Sequence, residues 1–173
     1  MGGIRSEVPR LAALIALIAH YHPRGLRVLL GDSPEPTTEE LAELLDSLQQ
    51  QDDLGVMVDG GVKAGEGLAL YCRVEPILEI VDLAGGWAEI QACARQVRSL
   101  EPLAWNLFAE CVMWVGSGSR LNEGGHLERI AQKYGVSVPT VYRWRNEVPK
   151  LIARHALLGG QGVLCFMGAE TTG

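Results

Sequence analysis

The sequence predicts a mainly α-helical protein, with a helical N-terminal region that carries the pattern of one small β-hairpin and a pair of short helices near the C-terminus. Three observations lead there. Apolar residues recur at helical spacing in most segments, as in Leu41, Leu44, Leu45 and Leu48. Two short apolar runs separated by glycines, the pattern of a hairpin, lie in one region around residues 56–74. Proline and glycine fall mostly between the periodic stretches and punctuate them. With 173 residues, 47% of them hydrophobic, the chain can bury one good core, or one core plus a small appended domain.

The first helix is expected over Val8 to about Tyr21, ended by Pro23 and Gly25. Its apolar run, Leu11 to Ala19, falls far short of the ~20 residues that span a bilayer, so no membrane segment is expected. Arg5 and Arg10 ahead of that run imitate a signal peptide, but no small-residue cleavage pattern follows, and a buried helix is expected. Leu26 to Leu30 reads as a short strand or a helical turn. Thr37 or Thr38 then serves as N-cap to a helix reaching about Gln51, with Glu39 and Glu40 in its first turn and the four leucines as its buried stripe. From Asp32 through Asp59 there are nine acidic residues and no Lys or Arg, a solvated or partner-facing acidic surface unsuited to nucleic acid.

Val56 to Val58 and Leu68 to Val74, joined through Gly60, Gly61, Gly65 and Gly67, make the hairpin pattern. The glycines do not make a phosphate loop, because Lys63 is outside a GxxxxGK[ST] arrangement and GxGxxG is absent. Pro76 to Ala84 is a short helix stopped by Gly85 and Gly86. Trp87 to about Leu100 is another, with Ile90, Cys93, Ala94 and Val97 inward. Glu101-Pro102 starts a third that runs to about Val115, with Trp105, Phe108, Val112 and Met113 as core. A glycine-rich connection, Gly116 to Gly125, leads on to the most informative stretch of the chain.

That stretch is LERIAQKYGVSVPTVYRWRN, Leu127 to Asn146. Leu127, Ile130, Tyr134, Val136, Val141 and Trp144 fall where two helices must face each other and a third support. Ala131 stands at their closest approach, where only a methyl fits. Gly135 sits at the turn, where positive φ is needed. Ser137 is a good N-cap for the second helix, and Pro139 is tolerated in its first turn. Val138, Thr140, Tyr142, Arg143 and Asn146 are left facing outward, a mixture suited to base edges, a thymine methyl and phosphates.

This stretch resembles the helix-turn-helix of bacterial and phage transcription regulators, and more loosely that of recombinases, small terminase subunits and sigma factors. The resemblance covers about 20 residues. It implies a recognition helix from Ser137 to about Asn146, with Arg129 and Lys133 on the preceding helix near the DNA backbone. Arg145 and Lys150 complete the expected DNA-binding set. Residues 120–155 carry seven basic side chains against three acidic ones, a local +4 within a chain of net charge −6, as a phosphate-binding module on an acidic body would.

After Asn146 the segment Val148 to Leu158 should continue as a helix broken or bent at Pro149, with Gly159, Gly160 and Gly162 ending it. Val163 to Met167 reads as a terminal strand or an apolar tail. The expected organisation is therefore residues 1–100 as an assembly or partner-binding region, 101–158 as the helix-turn-helix domain and 159–173 as a tail.

No GxSxG, HExxH or P-loop is present, and no enzyme activity is expected. Cys72, Cys93, Cys111 and Cys165 form no CxxC pair and read as reduced thiols of a cytoplasmic protein. His20 and His22 lack further metal ligands, so neither metal nor cofactor is expected. The expected function is sequence-specific regulation of transcription on double-stranded DNA, of phage or mobile-element type. The alternatives are an antiterminator or sigma-like factor contacting RNA polymerase, a DNA-packaging small subunit, and a protein-interaction module that binds no DNA. A homodimer is expected, because one recognition helix reads few base pairs, held mainly through the N-terminal region with its apolar first helix and with the tail as a further contact; the alternative is that both segments complete a monomeric core.

Overall fold

The computed structural model describes residues 3–49, 73–116 and 125–172. Among them are eight helices and no strand: α1 (Gly3–Tyr21), α2 (Gly25–Leu30), α3 (Thr38–Gln49), α4 (Val74–Leu83), α5 (Trp87–Leu100), α6 (Pro102–Gly116), α7 (His126–Tyr134) and α8 (Val138–Thr172). The expected β-hairpin lies outside the described residues, apart from its last positions, where Val74 opens α4. No helix of the described residues is long and apolar enough to cross a membrane.

The core is built around α1. Leu11, Leu14, Ile15 and Ile18 are almost wholly buried, and they pack with Ile77 and Ile80 of α4, Ile90 and Ala94 of α5, Phe108 of α6 and Ile152 of α8. An apolar run of this kind has no solvent face to spare, which is why it reads as nearly continuous hydrophobicity. Its consequence for assembly is direct. The α1 surface expected to join two copies is used inside one chain, so a second copy would have to dock elsewhere.

Short local signals set most of the helix ends. Thr37, rather than Thr38, caps α3: its Oγ1 accepts the Glu40 N–H at 3.1 Å, and Glu40 Oε1 accepts the Thr37 N–H at 3.1 Å. The stretch Leu26 to Leu30, open between strand and helical turn, is helical. Its opening residue Gly25 is required by space, since a Cβ there would stand 2.2 Å from the Ala19 carbonyl oxygen. Pro76 falls in the first turn of α4, where its missing N–H has no helical acceptor to lose.

Four expectations are corrected. Helix α1 begins at Gly3, ahead of Val8, and carries Pro9 inside it. Met113 is not core: it is 64% exposed, one residue and about 100° round the helix from buried Val112. Helix α8 is neither broken at Pro149 nor ended by Gly159, Gly160 and Gly162, and it runs 35 residues to Thr172. Proline removes one backbone bond, but Val148, Ile152, Ala153 and Leu157 bury the segment around Pro149 in the main core, and packing outweighs propensity there. The tail Val163 to Met167 is therefore helical rather than a strand.

Helix α6 faces two ways. Ala104, Trp105, Phe108 and Val112 belong to the main core, while Leu107 and Cys111 join Leu127, Ile130, Ala131 and Val141 in a second cluster. Trp144 touches both clusters from α8. Helices α6 and α8 thus tie the C-terminal helix pair to the body, and the basic segment shares two helices with the main core.

Candidate nucleic-acid interface

The pair α7 and α8 is joined by Gly135, Val136 and Ser137. Gly135 has φ +66° and ψ +35°, the left-handed conformation that L-residues other than glycine adopt only at a cost. Two hydrogen bonds close the end of α7: Gly135 N–H donates to the Gln132 carbonyl at 3.3 Å and Val136 N–H to the Ala131 carbonyl at 2.9 Å. This is the Schellman arrangement, with Val136 and Ala131 both packed in the second cluster. Ser137 Oγ then accepts the Thr140 N–H at 3.3 Å and lies 2.9 Å from Thr140 Oγ1. Ala131 is 5% exposed, beneath Val141 and beside Ile130 and Leu127. Cap, turn and small residue fall where the spacing put them.

The outward surface is smaller than expected. Arg129 and Lys133 on α7 are exposed, as are Ser137 in the turn and Arg143 on α8. Pro139, one turn ahead of Arg143, and Gln132 on α7 are exposed beside them. The Arg143 guanidinium lies 4.7 Å from the centroid of the Trp144 ring, a cation–π contact that orients it without consuming its hydrogen-bond donors.

The other expected contacts are turned partly inward. Val138 and Tyr142 are half-buried and pack on the second cluster, and Thr140 is half-buried with its hydroxyl beside that of Ser137. Asn146 is half-buried, and its Oδ1 is withdrawn from solvent with no hydrogen-bond partner among the described residues. Arg145 is half-buried as well, with Nε enclosed, and its charge reaches His20 of α1 and Cys111 of α6. Lys150 lies 3.7 Å from Glu147 one turn before it.

Two features of the site carry no sequence signal. Glu110 of α6 accepts both Lys133 Nζ and, at 3.2 Å, Tyr134 Oη on the same carboxylate oxygen, Oε1. The bond to Glu110, followed by its charge, holds the Lys133 ammonium above its ordinary pKa. The second feature is His20, which is buried edge-on against Phe108 at 6.0 Å between ring centroids. Burial, followed by the Arg145 charge, pushes its pKa down to about 3.

Cys93 and Cys111 are buried and free, and burial above all raises their pKa values to about 12 and about 11. Among the described residues no group of His, Cys, Asp and Glu is arranged to hold a metal ion. A comparison of the chain with known protein families, with curated proteins and with solved structures finds no match.

Proposed function

We propose that the chain binds double-stranded DNA sequence-specifically through the first turns of α8 and regulates transcription. The observation that carries this reading is the exposure of Pro139 and Arg143 on α8 and of Arg129 on α7, two helices joined by the left-handed Gly135 and packed together through Ala131 and Val141. An exposed, stacked arginine on a short helix edge suits guanine N7 and O6 in the major groove. Arg129, a turn-separated cation on the preceding helix, suits a phosphate. The local surplus of basic residues in an otherwise acidic chain agrees with this division of labour.

Arg145, Asn146, Val138 and Tyr142 have a structural part in this reading. Val138 and Tyr142 pack on the cluster shared by α6, α7 and α8, Arg145 and Asn146 are half-buried, and the readable edge narrows to Arg143 and its neighbours. So small an edge reads few base pairs, and useful specificity calls for two copies on adjacent half-sites. Because α1 is buried, the second copy is joined through other surface. The exposed large apolar side chains of the described residues are Leu78, Leu83, Leu100, Leu103 and Met113.

The test compares two substitutions by fluorescence anisotropy on the sequence that the protein selects. Arg143→Ala should cost about 1 to 3 kcal/mol and relax preference at one base pair. Arg129→Ala should weaken all sequences alike and flatten the salt dependence by about one phosphate contact. Equal, sequence-independent losses from both would remove Arg143 from base readout.

A further inference from the structure

We propose that Glu110 is an affinity-limiting residue of this interface, an internal stand-in for a DNA phosphate that neutralises Lys133 in the free protein and keeps it from contributing to DNA binding. The proposal rests on the DNA-binding reading above and adds to it the residue that sets its strength.

The Glu110 side chain is 18% exposed, although it lies at the foot of an exposed lysine that is itself 61% exposed. A carboxylate so far removed from water must be compensated by hydrogen bonds or opposite charge. Both partners that do so come from the end of α7: Lys133 Nζ and Tyr134 Oη meet on Oε1. The Lys133 ammonium also lies 5.4 Å from the centroid of the Tyr134 ring, which steadies it over the same spot.

A phosphate would meet this arrangement with two outcomes, both unfavourable. If Lys133 swings to the phosphate, Glu110 is left mostly buried with the neutral Tyr134 hydroxyl as its remaining partner among the described residues, and it loses the charge that compensated it. If Lys133 stays and bridges, a carboxylate is held close to the phosphate and repels it. Either way the pair presents no net charge to the duplex. Lys133 therefore releases no counterion, and its position beside Arg129 on α7, which the sequence reads as a second phosphate contact, is silent.

Removing the charge while keeping the shape should unmask it. In Glu110→Gln the amide oxygen can still accept from Tyr134 and Lys133, but the lysine is no longer neutralised. Binding to a duplex of mixed sequence should tighten about eightfold near 0.1 M monovalent salt, and the plot of log K against log salt should steepen by about 0.9. Lys133→Gln alone should change the affinity less than about twofold with an unaltered slope, whereas in the Glu110→Gln background it should abolish the gain.

The experiment is a double-mutant cycle over Glu110 and Lys133, read as salt-dependent anisotropy on that duplex, with circular dichroism confirming that each protein is helical. Coupling of the two substitutions in the stated direction is the expected result. Wild-type binding with no gain from Glu110→Gln overturns the proposal and leaves DNA binding standing. So does a slope flattened by about 0.9 in Lys133→Gln alone, a measurement that serves if Glu110→Gln does not fold. Absence of any salt-dependent binding by the wild-type protein instead removes the DNA-binding reading, and this proposal with it.

Discussion

Acidification should destabilise this protein well above the pH at which its carboxylates titrate, and His20 is the reason. The imidazole sits in the last turn of α1, 7% exposed, with Phe108 edge-on to it and Trp105 5.6 Å beyond Phe108. In the unfolded chain it titrates near 6.5, while burial and then the Arg145 charge bring it to about 3 in the fold. A histidine with a depressed folded-state pKa contributes its full share to stability above the unfolded value. That share is lost as the pH falls below 6.5, because the unfolded chain takes up a proton that the folded chain refuses. Between pH 7 and pH 5 the loss comes to about 2 kcal/mol, approaching 1.4 kcal/mol for each further pH unit until the folded group titrates. Against a total stability of about 5 to 15 kcal/mol this is a visible fraction.

Glu40 does not mimic the effect in that window. Its folded pKa is lowered to about 2, first by the Thr37 backbone hydrogen bond, so its contribution is lost mainly below 4.5. His155, whose pKa is lowered chiefly by burial, adds to the same trend with the same sign. Urea unfolding followed by circular dichroism at a series of pH values measures the slope. His20→Gln should remove at least half of the loss between pH 7 and pH 5, whatever it does to stability at pH 7. A variant with the wild-type pH slope would refute the placement of His20 as a buried neutral group.

Three further predictions concern packing and reactivity. Ala131→Leu should cost about 1 to 3 kcal/mol by overpacking the second cluster, and should weaken DNA binding in proportion to the displaced helix; a protein of wild-type stability and affinity would contradict the close approach of α7 and α8 there. Gly135→Ala should cost about 1 to 2 kcal/mol from backbone conformation alone, since no atom lies within 4 Å of its Cβ position, whereas Gly25→Ala should cost more because backbone atoms of α1 occupy the space; thermal unfolding of the two variants gives the order. Cys93 and Cys111 should resist alkylation in native protein at pH 8 and react on unfolding, as mass spectrometry of labelled peptides would report; rapid native labelling would show that they are accessible.

What the sequence made legible is local. The cap of α3, open in the sequence between Thr37 and Thr38, the glycine at the end of α7, the Ser137 cap and the apolar spacing of α5 all depend on residues within a turn or two of each other, and each has the expected kind of role in the structure. Tertiary arrangement was harder to read. Helix α6 buries residues toward two different clusters, so no single stripe marks its inner face, and the stripe that puts Met113 in the core passes over the buried Leu107 and Cys111. Pro149 and the glycines after Leu158 carry strong stop signals, yet the burial of Val148, Ile152, Ala153 and Leu157 carries the helix through the proline.

The candidate site divides along the same line. Arg129, Ser137 and Arg143 are exposed as their helical positions predict, because outward direction on a short helix follows from the apolar positions beside it. Arg145 and Asn146 lie where α8 passes from the second cluster to the main core, and their inward turn depends on α1 and α6, more than 25 residues away in the chain. Glu110 is invisible for the same reason, since its partners Lys133 and Tyr134 are 23 and 24 residues further on.

Selection of bound duplexes from a random-sequence pool, carried out in parallel with the wild-type protein and with Arg143→Ala, tests the central claim most directly. The wild-type protein should enrich a defined motif, with guanine at one position, and Arg143→Ala should enrich the same motif with that position relaxed. A wild-type pool that stays random after repeated rounds would contradict it.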